Sequence, residues 1–293
     1  MVYFLNLYRI MLIQARAQRR PLRLIQLSRI HLVMLRKVLA LRLILAAQIV
    51  LAWGATARAA HTYVLHLNGI GGERSIDRML VQGLAQGGVD ADYHIYDWTE
   101  DKAGMLALSD VKLHETESTK VAGMIRDYRH AHPDDQIILT THSAGAGIAA
   151  WALARLPEDV SIDTWVMLAP ALSPKFDLSA ALVHVKGRAF AFTSMNDIIV
   201  LGAGTRLMGT VDRVKTDAAG RVGFIRPDNA SAEQYQKLVA VPYDSAWMRF
   251  DNFGDHIGPM MRPFAKHVIA PTLLDGVVPK FPPLLATTAP TPP

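Results

Sequence analysis

Residues 136–150 read QIILTTHSAGAGIAA, and this stretch decides the fold. Its first six residues, 136–141, form an apolar and β-branched run, the pattern of a strand covered on both faces. Residues 145–156 are Ala-rich and predict a helix. Between them stands Thr141-His142-Ser143-Ala144-Gly145-Ala146-Gly147. A serine at such a strand-to-helix junction sits on a sharp turn that lifts its hydroxyl above the sheet. The turn needs small neighbours, and Gly145 and Gly147 supply them. The helix behind it offers backbone N–H groups, that of Ala144 among them, to a developing oxyanion. Thr141 stands where a glycine usually opens this turn. The competing reading is a serine that only caps a helix.

The same alternation runs outward in both directions. Strands are predicted at 62–67 (TYVLHL), 91–98 (ADYHIYDW), 162–168 and 188–194, with a short last one at 246–250. Helical spacing marks 75–86, with Ser75 as its N-cap, and 115–130, where Val121, Met124, Ile125 and Tyr128 share a face. Strands alternating with helices imply a mostly parallel sheet with helices on both faces. Only about 20 residues separate Leu168 from Arg188, too few for a sizeable cap, so the longer stretch 198–245 is the candidate cover.

Two further loops carry chemistry. His66-Leu67-Asn68-Gly69-Ile70-Gly71-Gly72 follows the first strand, at the strand end where such sheets bind ligands. It could supply a second oxyanion donor, the N–H of Ile70. Its glycines do not form G-x-G-x-x-G, because position 74 is Arg. A serine hydroxyl also needs a histidine to take its proton and a carboxylate to orient that histidine. Three histidines follow Ser143: His184, His256 and His267. His256 lies in a loop between Gly254 and Gly258 and is the candidate base. Asp197, in Ser194-Met195-Asn196-Asp197 after a predicted strand, is the candidate acid, with Asp244, Asp251 and Asp255 as rivals. Asp97 and Trp98 end the second strand and, with Asn68 and Gly69, are candidates to line a substrate pocket. There is no H-E-x-x-H, and His130 and His132 before Pro133 read as a solvated helix end rather than as metal ligands.

Taken together, the glycine loop, the Thr141-His142-Ser143-Ala144-Gly145 turn, Asp197 and Gly254-Asp255-His256 resemble the α/β-hydrolase superfamily across about 62–268. The resemblance implies a serine nucleophile, an acyl-enzyme, an oxyanion hole of two backbone amides and no cofactor. It implies a small-molecule acyl substrate and leaves esterase, lipase and peptidase open. Acyl transfer and a non-catalytic binding protein of the envelope are the alternatives. Asn68 replaces a His-Gly pair often found in that loop, and the antiparallel first strands of the superfamily are not apparent.

Charge separates the chain into unlike parts. The net charge is +5, yet residues 1–60 hold nine Arg, one Lys and no acid. The remainder carries 21 basic and 26 acidic residues, a balance of −5. Such a body gives no reason to expect nucleic-acid binding. Residues 34–59 have the layout of a secretory signal: Arg36-Lys37, an apolar run from Leu43 to Trp53 and Ala57-Arg58-Ala59. That run is shorter than the ~20 residues that span a bilayer. Export to the periplasm or medium is expected, with an uncleaved membrane anchor as the alternative. Residues 1–33 are Arg-rich and acid-free. Met34 sits where such a signal is expected to start, so 1–33 reads as a mis-assigned upstream start, with a transit peptide or a surface helix as the alternative. Hydrolase-like sequence is therefore expected over 60–269, followed by a Pro-rich, disordered tail over 270–293. With no cysteine, disulfides, Cys-ligated zinc, a thiol nucleophile and lipidated cysteine are excluded.

Overall fold

The computed structural model describes residues 60–100, 102 and 104–283, together with Lys37, Val38 and Arg42. The chain divides into two units, Met1–Ala59 and Ala60–Pro293. The signal layout at 34–59 thus lies almost wholly outside the described residues, as do residues 284–293. Among the described residues no helix is long and apolar enough to cross a membrane.

The second unit is built on six parallel strands: β1 (Thr62–Leu67), β2 (Asp92–Tyr96), β3 (Gln136–His142), β4 (Thr164–Leu168), β5 (Ala189–Thr193) and β6 (Leu238–Pro242). Their order is β2-β1-β3-β4-β5-β6. The long helices are α1 (Ser75–Gln86), α3 (Val111–Ala131) and α4 (Gly145–Leu153), with the short α2 (Met105–Ser109) preceding α3. This is the expected mostly parallel sheet with helices on both faces.

The two-residue period of each strand sorts its side chains between two cores. Leu65 and Leu67 of β1, Ile137 and Leu139 of β3 and Trp165 of β4 pack with α3 and α4. Val64, Ile138, Val166, Phe190 and Phe192 point the other way, onto α1 and a C-terminal helical run. In α3 the buried positions Leu113, Glu117, Val121, Ile125 and Arg129 recur every four residues, which is why one stripe faces inward. Eight of the nine residues of α4 are buried, so small alanines allow it to lie close against the sheet. The chain leaves β1 toward β2 and returns past it to β3. The order therefore reverses between β1 and β3, and the crevice at their carboxyl ends is where such a sheet binds ligands.

Three expectations are corrected. Residues 246–250 are not a strand: Ser245–Phe250 is a 3₁₀ turn in which the Asp244 side chain caps the Ala246 N–H, and Trp247 is buried against Phe192 and Phe264. The last strand is β6, an edge strand, where Pro242 is tolerated. Ser75 is not the N-cap of α1. Arg74 holds that position, and the Asp77 carboxylate reaches back to its N–H at 2.7 Å. Finally, the ordered chain does not stop at residue 269. Ala270–Asp275 is helical with Ala270 and Thr272 buried, Phe281 packs on Phe250, and Arg249 donates to the Pro282 carbonyl.

Candidate active site

Ser143 occupies the junction between β3 and α4 with φ +54°, a left-handed conformation that a residue with a Cβ adopts only under constraint. The constraint is visible on both sides of its peptide unit. Its N–H donates to Leu168 O at the end of β4, 3.0 Å away. Its carbonyl accepts from Ala146 N at 3.2 Å and from Ala171 N at 3.0 Å. Gly145 is needed next to it. A Cβ there would lie 2.5 Å from Asn68 O and 2.7 Å from Leu67 O, backbone atoms that cannot give way. Thr141, by contrast, fits where glycine was expected because its side chain faces the sheet partner. Its hydroxyl accepts from Trp165 Nε1 at 3.2 Å and lies 3.3 Å from Val166 O.

The structure brings Ser143, His256 and Asp197 into one hydrogen-bonded line. His256 Nε2 is 3.0 Å from Ser143 Oγ, and His256 Nδ1 is 2.7 Å from Asp197 Oδ2. A carboxylate accepts only, so Nδ1 carries a proton and the neutral ring turns Nε2 as an acceptor toward the serine hydroxyl. Asp197 is buried, and its second oxygen accepts from Leu201 N at 3.1 Å. The other candidates are engaged elsewhere. Asp255 Oδ1 accepts from Ile257 N and Gly258 N in its own loop, and Asp244 caps the 3₁₀ turn. Asp251 is exposed in a left-handed turn at φ +62°. His184 is bonded to Val160 O and His267 stacks on Phe250.

The glycine loop rides against this turn. A Cβ on Gly69 would come within 3.2 Å of both Ser143 Cβ and His142 Nδ1. The N–H groups of Ile70 and Ala144 have no hydrogen-bond acceptor among the described residues. One of these free donors belongs to the glycine loop and the other follows Ser143 directly, and backbone donors of this kind are what an oxyanion hole requires.

Asn68, Asp97 and Trp98, expected to line a pocket, instead hold the loop. Trp98 is fully buried and donates Nε1–H to Asn68 O at 2.7 Å. Asn68 Nδ2 donates to Gly69 O at 2.8 Å and to Asp97 Oδ1 at 3.2 Å. Asp97 also accepts from Glu73 N, Thr99 N and the Thr99 hydroxyl. Burial pushes the Asp97 carboxyl upward, but these donors outweigh it and hold it below the ordinary carboxylate range. With its oxygens so occupied, Asp97 has little left to offer a ligand. Gly72 turns the loop at φ +72°, where a Cβ would crowd Asp97 Oδ2 at 3.0 Å.

Two features lay beyond the sequence reading. His142, the last residue of β3, is buried with Nε2 3.0 Å from His256 O. Its burial and the neighbouring His256 push its pKa down to about 3. Large apolar side chains also stand exposed on the segments that carry Asp197 and His256: Met195, Ile198, Ile199 and Val200 on the first, Phe253 and Ile257 on the second. The segments meet where a Cβ on Gly254 would touch Ser194 Oγ and Asn196 Nδ2. Among the described residues no group of three or more His, Asp or Glu side chains is arranged to hold a metal.

A parallel sheet of this order with a constrained serine after β3 is the α/β-hydrolase architecture. No family model matches the chain, and no curated protein matches it in sequence. Solved structures with a similar fold are found. Lipase B of Aspergillus fumigatus is 13% identical, over 74% of this chain and 53% of the lipase, with a TM-score of 0.47. This chain thus spans about half the length of that protein. A lipase-esterase related protein of Clostridium acetobutylicum is 12% identical over 75% of this chain and 96% of its own, at a TM-score of 0.41. A cutinase-like protein of a Cryptococcus species is 12% identical over 73% and 95%, at 0.35.

Proposed function

We propose that this chain is a serine hydrolase that cleaves an ester or related acyl bond through an acyl-enzyme. The observation that carries the reading is the line Ser143 Oγ–His256–Asp197, with contacts of 3.0 and 2.7 Å. In the proposed reaction Ser143 Oγ attacks the acyl carbon as its proton passes to His256 Nε2. Asp197 orients the ring and stabilises the imidazolium. The Ile70 and Ala144 N–H groups hold the oxyanion of the tetrahedral intermediate. His256 then gives its proton to the leaving alcohol, and the acyl group stays on Ser143. Water, deprotonated by His256, attacks that ester, and collapse of the second intermediate returns the proton to Ser143 and releases the acid.

The exposed apolar side chains beside His256 and Asp197 support an apolar acyl group as the substrate portion bound there. One experiment tests both points. Native protein from residue 60 onward is treated with tagged fluorophosphonates bearing an ethyl or a dodecyl chain, beside Ser143→Ala and a heat-denatured control. Native wild type alone is expected to label, and the dodecyl reagent to react faster. A folded but unlabelled wild type refutes the nucleophile. Equal rates for both reagents refute the apolar acyl site.

The signal layout of residues 34–59 supports export of the enzyme. Cleavage after Ala59 is expected to leave Ala60 as the first residue. Intact mass of the secreted or periplasmic protein reads this directly, and full-length protein retained in the cell refutes it.

A further inference from the structure

We propose that His142 is a positioning residue for His256, clamping the histidine loop to the serine turn through its side chain. The inference rests on the serine-hydrolase reading above and adds a residue to it.

The geometry is specific. His142 Nε2 lies 3.0 Å from the backbone oxygen of His256. A carbonyl can only accept, so this nitrogen is the donor and carries the proton of the ring. The two imidazoles stand 4.9 Å apart between centroids, tilted by 44°. The other nitrogen, Nδ1, faces Gly69, where a Cβ would be 3.2 Å away. One buried ring thus touches the glycine loop and the histidine loop, and its own chain continues directly into Ser143.

Among the described residues the histidine loop has few other long-range hydrogen bonds, although Gly254 packs against Ser194 and Asn196. Its remaining backbone bonds are local: Asn252 Oδ1 accepts from Gly254 N, and Asp255 Oδ1 accepts from Ile257 N and Gly258 N. Among the described residues, the distant polar contacts of His256 are the ring bonds to Ser143 and Asp197 and the backbone bond from His142. The ring bonds must rearrange as protons move during a reaction, whereas the backbone bond need not. Burial keeps His142 neutral well below the neutral range, so its donor pattern stays fixed while His256 gains and loses a proton.

Three substitutions separate a clamp from simple core filling. Glutamine at 142 can reach the same carbonyl with its amide N–H. Phenylalanine fills the space but donates nothing. Asparagine donates but is too short. Tagged fluorophosphonate labelling rates, and kcat and KM on a p-nitrophenyl ester, are measured for each folded protein. The clamp predicts that His142→Phe lowers kcat about 10- to 100-fold with KM little changed, since a base displaced by about an ångström loses roughly that much. His142→Gln is expected to recover most of the rate, and His142→Asn is not. A core-filling role predicts the reverse, with Phe retaining the rate and Gln losing it, and that order overturns the clamp. If His142→Phe does not fold, Gln against Asn decides: Gln faster supports the clamp, and equal rates overturn it. A wild type that labels while all three variants match it overturns the clamp alone. A wild type that does not label overturns the serine reading and the clamp with it.

Discussion

Replacing Ser143 with alanine is expected to lower kcat/KM on a p-nitrophenyl ester by roughly 10³- to 10⁶-fold, the range for loss of a nucleophile that works as one unit with its base. Almost nothing else should change. The bonds that hold the turn use the backbone of residue 143, to Leu168 O, Ala146 N and Ala171 N. They survive the substitution. Alanine keeps the Cβ, so the cost of φ +54° is the same in both proteins. What is lost is one oxygen and its bond to His256 Nε2. A thermal midpoint within a few degrees of wild type is therefore expected, equivalent to a change of about 1 kcal/mol or less. Initial rates and a melting curve on the same preparation test both halves. A rate loss under about tenfold in a folded variant would place the nucleophile elsewhere.

Much of the frame was legible because burial on both faces leaves a strong local mark. The run at 136–141 reads as an interior strand because it is apolar and β-branched and an Ala-rich helix follows it, and β3 and α4 begin where that reading put them. The edge was harder. Leu238–Pro242 is short and ends in proline, while Ala246–Phe250 carries large apolar residues. The burial of Trp247 comes from Phe192, Tyr243 and Phe264, contacts that no local pattern announces. The C-terminal boundary failed for a related reason. Pro-rich composition suggested disorder, but Phe281 and Val278 find a ready apolar surface.

Around the site, the chain positions of loops were readable and their tertiary bonds were not. Asp97 and Trp98 stand at a strand end, where a ligand contact is the natural inference. Only the fold shows that both turn inward to Asn68 and the glycine loop. Asp255 sits beside His256 in sequence yet serves the backbone of its own turn. His142 reaches a carbonyl 114 residues away. Spacing alone could single out neither this contact nor the direction of the ring.

Asp197→Asn is expected to lower kcat by about 10³- to 10⁴-fold, and the reason lies in the second oxygen of Asp197. That oxygen accepts the Leu201 N–H at 3.1 Å, and the group is buried. An amide placed there keeps this bond only by turning its oxygen to Leu201. Its NH₂ then faces His256 Nδ1, which must give up its proton to accept. The ring is left with the proton on Nε2, pointing at Ser143 Oγ, and can no longer take the serine proton. Asp197→Ala removes the carboxylate without imposing that tautomer. It also leaves the Leu201 N–H without its acceptor, which should cost about 1–3 kcal/mol of stability. The amide variant should therefore be the more stable of the two and at least as inactive. Rates and melting curves for both variants decide between tautomer control and simple loss of charge. If the alanine variant is clearly slower than the amide, the orientation set by Leu201 is not what makes Asp197 necessary.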